Sequence, residues 1–154
     1  MKKPRIHITT TELTFEAFPS KEIGLAIYCK SFKIPLEDIK YIAISPRLAL
    51  DDDVLFILII GKNHKIYKIP FVYYIYDFSG FENHFLSTSI HKEWGSFTHK
   101  DHYGKVDKII YPNEFYWLDL FEKNWKLKVR NLYSWINPKS FFGDFSKELF
   151  TNRK

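Results

Sequence analysis

Apolar and polar positions alternate over most of the first half of the chain, and at one place the alternation gives way to a continuous apolar run. That run, residues 54–60, reads Val-Leu-Phe-Ile-Leu-Ile-Ile. It is too apolar for a strand with one wet face and too short for a spanning helix, so it predicts a central strand buried on both faces. Gly61-Lys62-Asn63-His64 follows and supplies turn chemistry, with Gly and Asn able to take positive φ. Ile66, Tyr67, Lys68 and Ile69 then alternate, as a strand with one solvated face does. Residues 54–71 are thus expected to form a β-hairpin at the centre of a sheet.

The same reading extends along the chain. Residues 5–18 predict a first hairpin, with Ile6 and Ile8 alternating before Thr10-Thr11-Glu12, and Leu13, Phe15 and Ala17 after it. Pro19-Ser20-Lys21 is a turn, and residues 23–32 a strand with Ile23, Leu25, Ile27 and Cys29 on one face. Pro35 stops that strand and can open a short helical turn, after which Ile42 and Ile44 restart the alternation. Residues 46–53 read as a loop ending in Asp51-Asp52-Asp53. Residues 71–76 are aromatic and can finish the hairpin's second strand, and Asp77 is placed to cap a short helix over 78–86 with Phe78, Phe81 and Phe85 on one side. Residues 87–108 are rich in His, Lys, Gly and Ser and predict a polar loop, and 108–111 one more short strand.

Pro112-Asn113-Glu114 reads as the start of a longer helix over residues 112–137, ended by Asn137-Pro138. Leu118, Phe121, Trp125, Val129, Leu132 and Ile136 recur at spacings of three and four, an amphipathic stripe expected to face the core. The strict alternation of residues 126–130 offers a rival strand reading. The tail, residues 138–154, carries Phe141, Phe142, Phe145, Leu149 and Phe150 and is expected to pack back on the domain or to dock on a partner.

The opening hairpin, the phrase Ile34-Pro35-Leu36-Glu37-Asp38-Ile39 leading into a strand, and the hairpin across Gly61-Lys62-Asn63-His64 resemble bacterial pleckstrin-homology-like domains over about residues 6–86. The resemblance implies an α+β fold with a strongly bent antiparallel sheet or split barrel closed by a helix. It also implies a non-catalytic role in binding lipid, peptide or protein, among which fold alone does not choose. The loop after the first strand lacks the basic cluster that lipid-binding members carry there, which argues against phosphoinositide. The final third of the chain is additional to the family pattern.

Composition narrows the rest. A chain of 154 residues with 45% hydrophobic and 19% aromatic content suits a single ordered domain, residues 1–154. Cys29 is the sole cysteine, which excludes an internal disulfide and a thiolate zinc cluster. Charged residues at the N-terminus run straight into alternation with no apolar leader, so a cytoplasmic protein is expected. The net charge of +5 is mildly basic.

Three polar clusters are candidates for chemistry. His84, His91, Glu93, His99, Asp101 and His102 fall close together, and a metal, if one is bound, would use His91, His99, Asp101 and His102. No helical i, i+4 pairing is present there, and Lys92, Lys100 and Lys105 interleave, so a solvated loop and no cofactor is the expectation. Asp51–Asp53 lacks the alternating ligands of a calcium loop and reads as charge guarding the apolar strand. Lys123, Lys126, Lys128 and Arg130, interleaved with Trp125, Tyr133 and Trp135, form a basic-aromatic set on the last helix. The helix dipole explains cations there, and so would contact with a partner. Trp125, Tyr133, Trp135, Lys123, Lys126 and Arg130 are accordingly the predicted partner-binding residues.

No phosphate-cradling glycine loop and no Gly-x-Ser-x-Gly elbow occurs. The expected function is therefore a non-enzymatic protein-interaction domain, one version being an immunity or inhibitor protein that binds a toxin or effector. The alternatives are a module for anionic membrane surfaces and a metal-dependent hydrolase at residues 91–102. Nucleic acid is disfavoured, because the three aspartates interrupt a basic face.

Overall fold

The computed structural model describes residues 6–17, 30–47, 54–70, 77–85, 107–133 and 143–150. They form an α+β arrangement of two antiparallel sheets and three helices. The first sheet has the order β1-β2-β3, with β1 Ile6–Ile8, β2 Glu12–Phe15 and β3 Phe32–Pro35. The second has the order β6-β5-β4-β7, with β4 Ile39–Arg47, β5 Val54–Gly61, β6 Ile66–Pro70 and β7 Lys108–Tyr111. The helices are α1 Ser79–Phe85, α2 Trp125–Tyr133 and α3 Lys147–Phe150.

The expected central hairpin is β5–β6, in register from Phe56↔Pro70 to Ile60↔Ile66. Phe56 to Ile60 are all buried, as are Tyr41 to Ser45 on the neighbouring β4. Over these residues neither face is wet, which is what an unbroken apolar run demands. The turn differs in detail. His64, not the glycine or the asparagine, takes the left-handed conformation, at φ 71°. His64 N donates to Gly61 O at 2.9 Å and Gly61 N to Lys65 O at 2.9 Å, closing a three-residue loop with its left-handed residue last. A Cβ at Gly61 would meet Asn63 Oδ1 at 2.7 Å, so a larger residue there would have to displace the oxygen that accepts from Lys65 N.

The first hairpin is β1–β2, and β2 buries alternate residues, Leu13 and Phe15. Pro35 ends β3 and leads into a 3-10 turn, Leu36–Asp38, through which the chain passes from the first sheet to the second. Phe32 stacks on Tyr67 at 4.8 Å, joining the two sheets. Asp77 Oδ1 accepts from both the backbone N–H and the hydroxyl of Ser79, capping α1. That contact holds the Asp77 carboxyl below its usual range. Phe78, Phe81 and Phe85 turn inward, α1 lies against β1, and the Phe85 ring meets Tyr111 of β7 at 5.1 Å.

Three expectations are corrected. The interval between β4 and β5 is shorter than a 46–53 loop, since Pro46↔Leu55 and Arg47↔Val54 are paired. Pro46 is tolerated because the pairing of β7 with β4 stops at Ile44, leaving β5 as the neighbour there. The rival strand at residues 126–130 is helix. The long helix begins at Trp125, not at Pro112. Pro112 opens only a 3-10 turn, Asn113–Phe115, and Trp117 at φ 70° then sends the chain back along β7. There Trp117 N donates to Ile109 O at 2.6 Å, Ile109 N to Leu118 O at 3.0 Å and Leu120 N to Asp107 O at 3.0 Å. A second short segment pairs beyond it, through Glu122 N to Asp144 O, Ser146 N to Leu120 O and the Phe121↔Phe145 bridge. Most of the expected strand over 23–32, all of the Asp51–Asp53 run, and residues 71–76 and 87–106 lie outside the described residues.

The C-terminal segment packs back. Leu149 is buried, and Phe150 sits between Tyr41 at 5.5 Å and His64 at 4.0 Å, with Lys40 Nζ 5.1 Å above its ring.

Candidate functional site

Helix α2 starts where its cap is. Asn124 Oδ1 accepts from Lys126 N at 3.1 Å and Leu127 N at 3.3 Å, and Asn124 O accepts from Lys128 N at 3.2 Å. Asp144 braces this end, accepting from Asn124 Nδ2 and Lys126 Nζ, each at 3.0 Å. Those two hydrogen bonds, Lys126 first, hold the Asp144 carboxyl below its ordinary value.

The helix presents its faces in an unexpected order. Trp125 is 69% exposed, Val129 49%, Leu132 74% and Tyr133 46%, a continuous apolar side at i, i+4, i+7 and i+8. Of the stripe expected to face the core, Phe121 is buried, Leu118 is exposed, and Ile136 lies outside the described residues. The inward side carries Leu127 and, fully buried, Arg130. Arg130 was expected on the basic surface with Lys123 and Lys126; it is not part of that surface.

Arg130 is held in a polar slot in the second sheet. Its Nη1 lies 2.7 Å from Asp107 Oδ2, both side chains being essentially inaccessible. The contact is an ion pair rather than an aligned hydrogen bond. Asp107 Oδ1 in turn accepts the hydroxyl proton of Ser45 on β4. The guanidinium also lies 5.4 Å from the centre of the Phe121 ring, and its Nε donates to Asn131 Oδ1 at 3.2 Å. A buried charge requires such a partner, and losing one member typically costs about 3–5 kcal/mol. Fully burying a Trp, Leu or Val side chain is worth about 1.5–3 kcal/mol each. The cost of breaking the pair is comparable to the burial of one or two of those side chains, so the pair opposes part of the pull of the apolar side toward the core.

The lysines are largely occupied. Lys126 Nζ pairs with Asp144 at 3.0 Å, while Lys108 and Lys123 approach Asp119 at 2.7 and 3.7 Å. Lys128, exposed beside the apolar side, has no such partner among the described residues. An open cleft of about 470 Å³ runs past Lys108, Trp117, Asp119, Lys123, Ser146 and Glu148. Its groups are engaged with one another: Ser146 Oγ donates to the Asp119 carbonyl at 2.6 Å, and Glu122 Oε2 accepts from Lys147 N at 2.7 Å.

Of the predicted partner-binding set, Trp125 and Tyr133 share the exposed side of α2, Lys123 and Lys126 lie at its start, and Trp135 lies outside the described residues. His91, His99, Asp101 and His102 also lie outside them; His84, which is described, is exposed and stands against Phe85 at 4.7 Å. Among the described residues no group of three or more His, Cys, Asp or Glu could hold a metal ion, and no helix is long and apolar enough to cross a membrane. Sequence reasoning missed the Asp107–Arg130 pair, which joins positions with no local pattern between them. It also passed over Asn124, whose placement directly before a helical run was a legible cap signal.

Compared with known proteins, the chain matches no family model, no curated protein and no solved structure.

Proposed function

We propose that this is a non-enzymatic protein-interaction domain whose contact surface is the outer side of α2, formed by Trp125, Val129, Leu132 and Tyr133. The observation that carries this reading is the inversion of the helix, with its apolar side exposed and its arginine buried. Four apolar anchors at this spacing match the way an amphipathic helix enters a groove on another protein, and Trp and Tyr are enriched among interface hot spots. The partner is a different protein offering an apolar groove with an acidic rim opposite Lys128. A second copy of this chain, at +5 each, would bring like charges together. One concrete form is an immunity or inhibitor protein that binds a toxin or effector encoded nearby. The finer reading of the two sheets as a pleckstrin-homology-like bent arrangement belongs with this proposal, supported by the β1–β2 hairpin, the turn after Pro35 and the hairpin at Gly61–His64.

Co-expression with the neighbouring gene product tests the proposal. The wild-type chain is expected to co-purify with that product, and Trp125→Asp or Leu132→Asp to lose it. Equal capture by all three chains, or capture by none, would overturn the reading.

Binding to an anionic membrane surface is the second reading, favoured by lysines flanking exposed aromatic residues. The pairing of Lys123 and Lys126 with Asp119 and Asp144 weakens it. Flotation with phosphatidylserine vesicles at low and high salt separates the two, because lipid binding by exposed lysines fades as salt rises.

A further inference from the structure

We propose that Asp107 and Arg130 act as positioning residues that set the rotational register of α2, holding its apolar side toward solvent. The biological use of this rests on the partner-binding reading above, but the geometry and its test do not.

The helix has Leu127 and Arg130 buried, one turn apart, and Trp125, Val129 and Leu132 exposed on the opposite side, with Arg130 reaching Asp107 beside the second sheet. On amphipathicity alone it should sit the other way round, since three large apolar side chains would gain more from the core than Leu127 does. What the opposite register would break is specific. Asp107 stands at the start of β7, its carboxylate between Arg130 Nη1 and the Ser45 hydroxyl. A half-turn of the helix would carry Arg130 to solvent and separate its charge from that buried carboxylate. The slot also fits an arginine in shape, with Phe121 beneath the guanidinium and Asn131 beside it. Fixing the register of a helix is the best attested use of a buried polar group, at a cost in stability. Here the consequence is that the apolar anchors stay available outside.

Thiol labelling of the full chain reads the register directly. Cys29 is the sole native cysteine, so Cys29→Ser gives a background in which Leu127→Cys and Leu132→Cys are compared with a maleimide reagent. In the parent, position 132 is expected to react at least about 10-fold faster than position 127, which requires local opening. In the Asp107→Asn/Arg130→Met double variant, which removes both charges while keeping bulk, the ratio is expected to fall to about one or invert, with the thermal melt still cooperative. Arg130→Lys, retaining the charge, is expected to keep the preference for position 132.

Any of four results overturns the proposal: equal labelling in the parent, an unchanged ratio in the double variant, a lysine variant that behaves like the double variant, or loss of the cooperative melt in the double variant. The last would make the pair a staple of the whole fold rather than a register device. No partner is needed, so failure here leaves the interaction reading standing, and failed co-purification leaves the register result standing.

Discussion

The Tyr41 hydroxyl donates to the Leu149 carbonyl at 2.6 Å, tying the first part of β4 to α3 across 108 positions of sequence. Tyr41 is buried, and burial first, then the Glu114 charge, raises its pKa above the ordinary 10.0. Tyr41→Phe should cost about 1 kcal/mol in urea unfolding near neutral pH, the usual net worth of one such bond. The pH dependence has a definite sign. A raised native value means that stability is intact below pH 10 and declines as pH climbs from there through the native value, because the unfolded phenol ionises first. The gap between wild type and Tyr41→Phe should therefore narrow above pH 10; a gap that widens would contradict the assignment.

At the start of α2 a second contact is open to measurement. Asn124→Ala removes the cap from Lys126 N and Leu127 N and should lower stability by about 1 kcal/mol, seen as a lower thermal midpoint. Asp144 contributes in the opposite pH range to Tyr41. Its native value lies below the ordinary 3.8, so its contribution is complete above that pH and is lost as pH falls from 3.8 through the native value. Asp144→Asn should therefore lower stability slightly at neutral pH and flatten the acid limb, its difference from wild type vanishing as pH falls below 3.8.

Breaking the buried pair and replacing it should have different costs. Arg130→Met alone removes the arginine charge from beside the buried Asp107 carboxylate and should destabilise by about 3–5 kcal/mol, whereas Asp107→Asn/Arg130→Met should lie much closer to wild type. Chemical denaturation of the two variants decides it. A double variant as unstable as the single one would mean that packing, rather than unpaired charge, sets the cost.

The two ends of the burial scale should also separate. Leu58 is fully buried in β5, and Leu58→Ala should cost about 2–5 kcal/mol through lost burial and an unfilled cavity. Leu132 is mostly exposed, and Leu132→Ser should change stability by no more than about 0.5 kcal/mol while reducing partner capture. A large loss of stability in Leu132→Ser would place that side chain in a folded interface and remove it from the contact surface.

Where local pattern and burial agree, the fold can be read from the residues. The run at Phe56–Ile60, the alternation at Leu13 and Phe15, the stop at Pro35 and the cap at Asp77 each carry their structural reason within a few positions. Legibility fails where a distant group decides. Pro112-Asn113-Glu114 has the composition of a helix start, but the chain turns back at Trp117 to pair with β7, a tertiary ladder that outweighs local propensity. The same holds for the orientation of α2. Its sequence specifies an amphipathic helix and says nothing of which side faces the core, because Asp107, the residue that settles the matter, lies well upstream. Arg130 therefore reads as one more surface cation when it is the most deeply buried charge in the helix.

Strands β4, β5 and β6 are consecutive and pair with near neighbours, whereas β7 must arrive from beyond residues 71–107 before it can lie beside β4. Pairing between distant positions carries a larger loop-closure cost than pairing between neighbours. The Asp107–Arg130 contact stands beside that strand, so the outward setting of the apolar side is tied to the longest-range strand pairing of the second sheet.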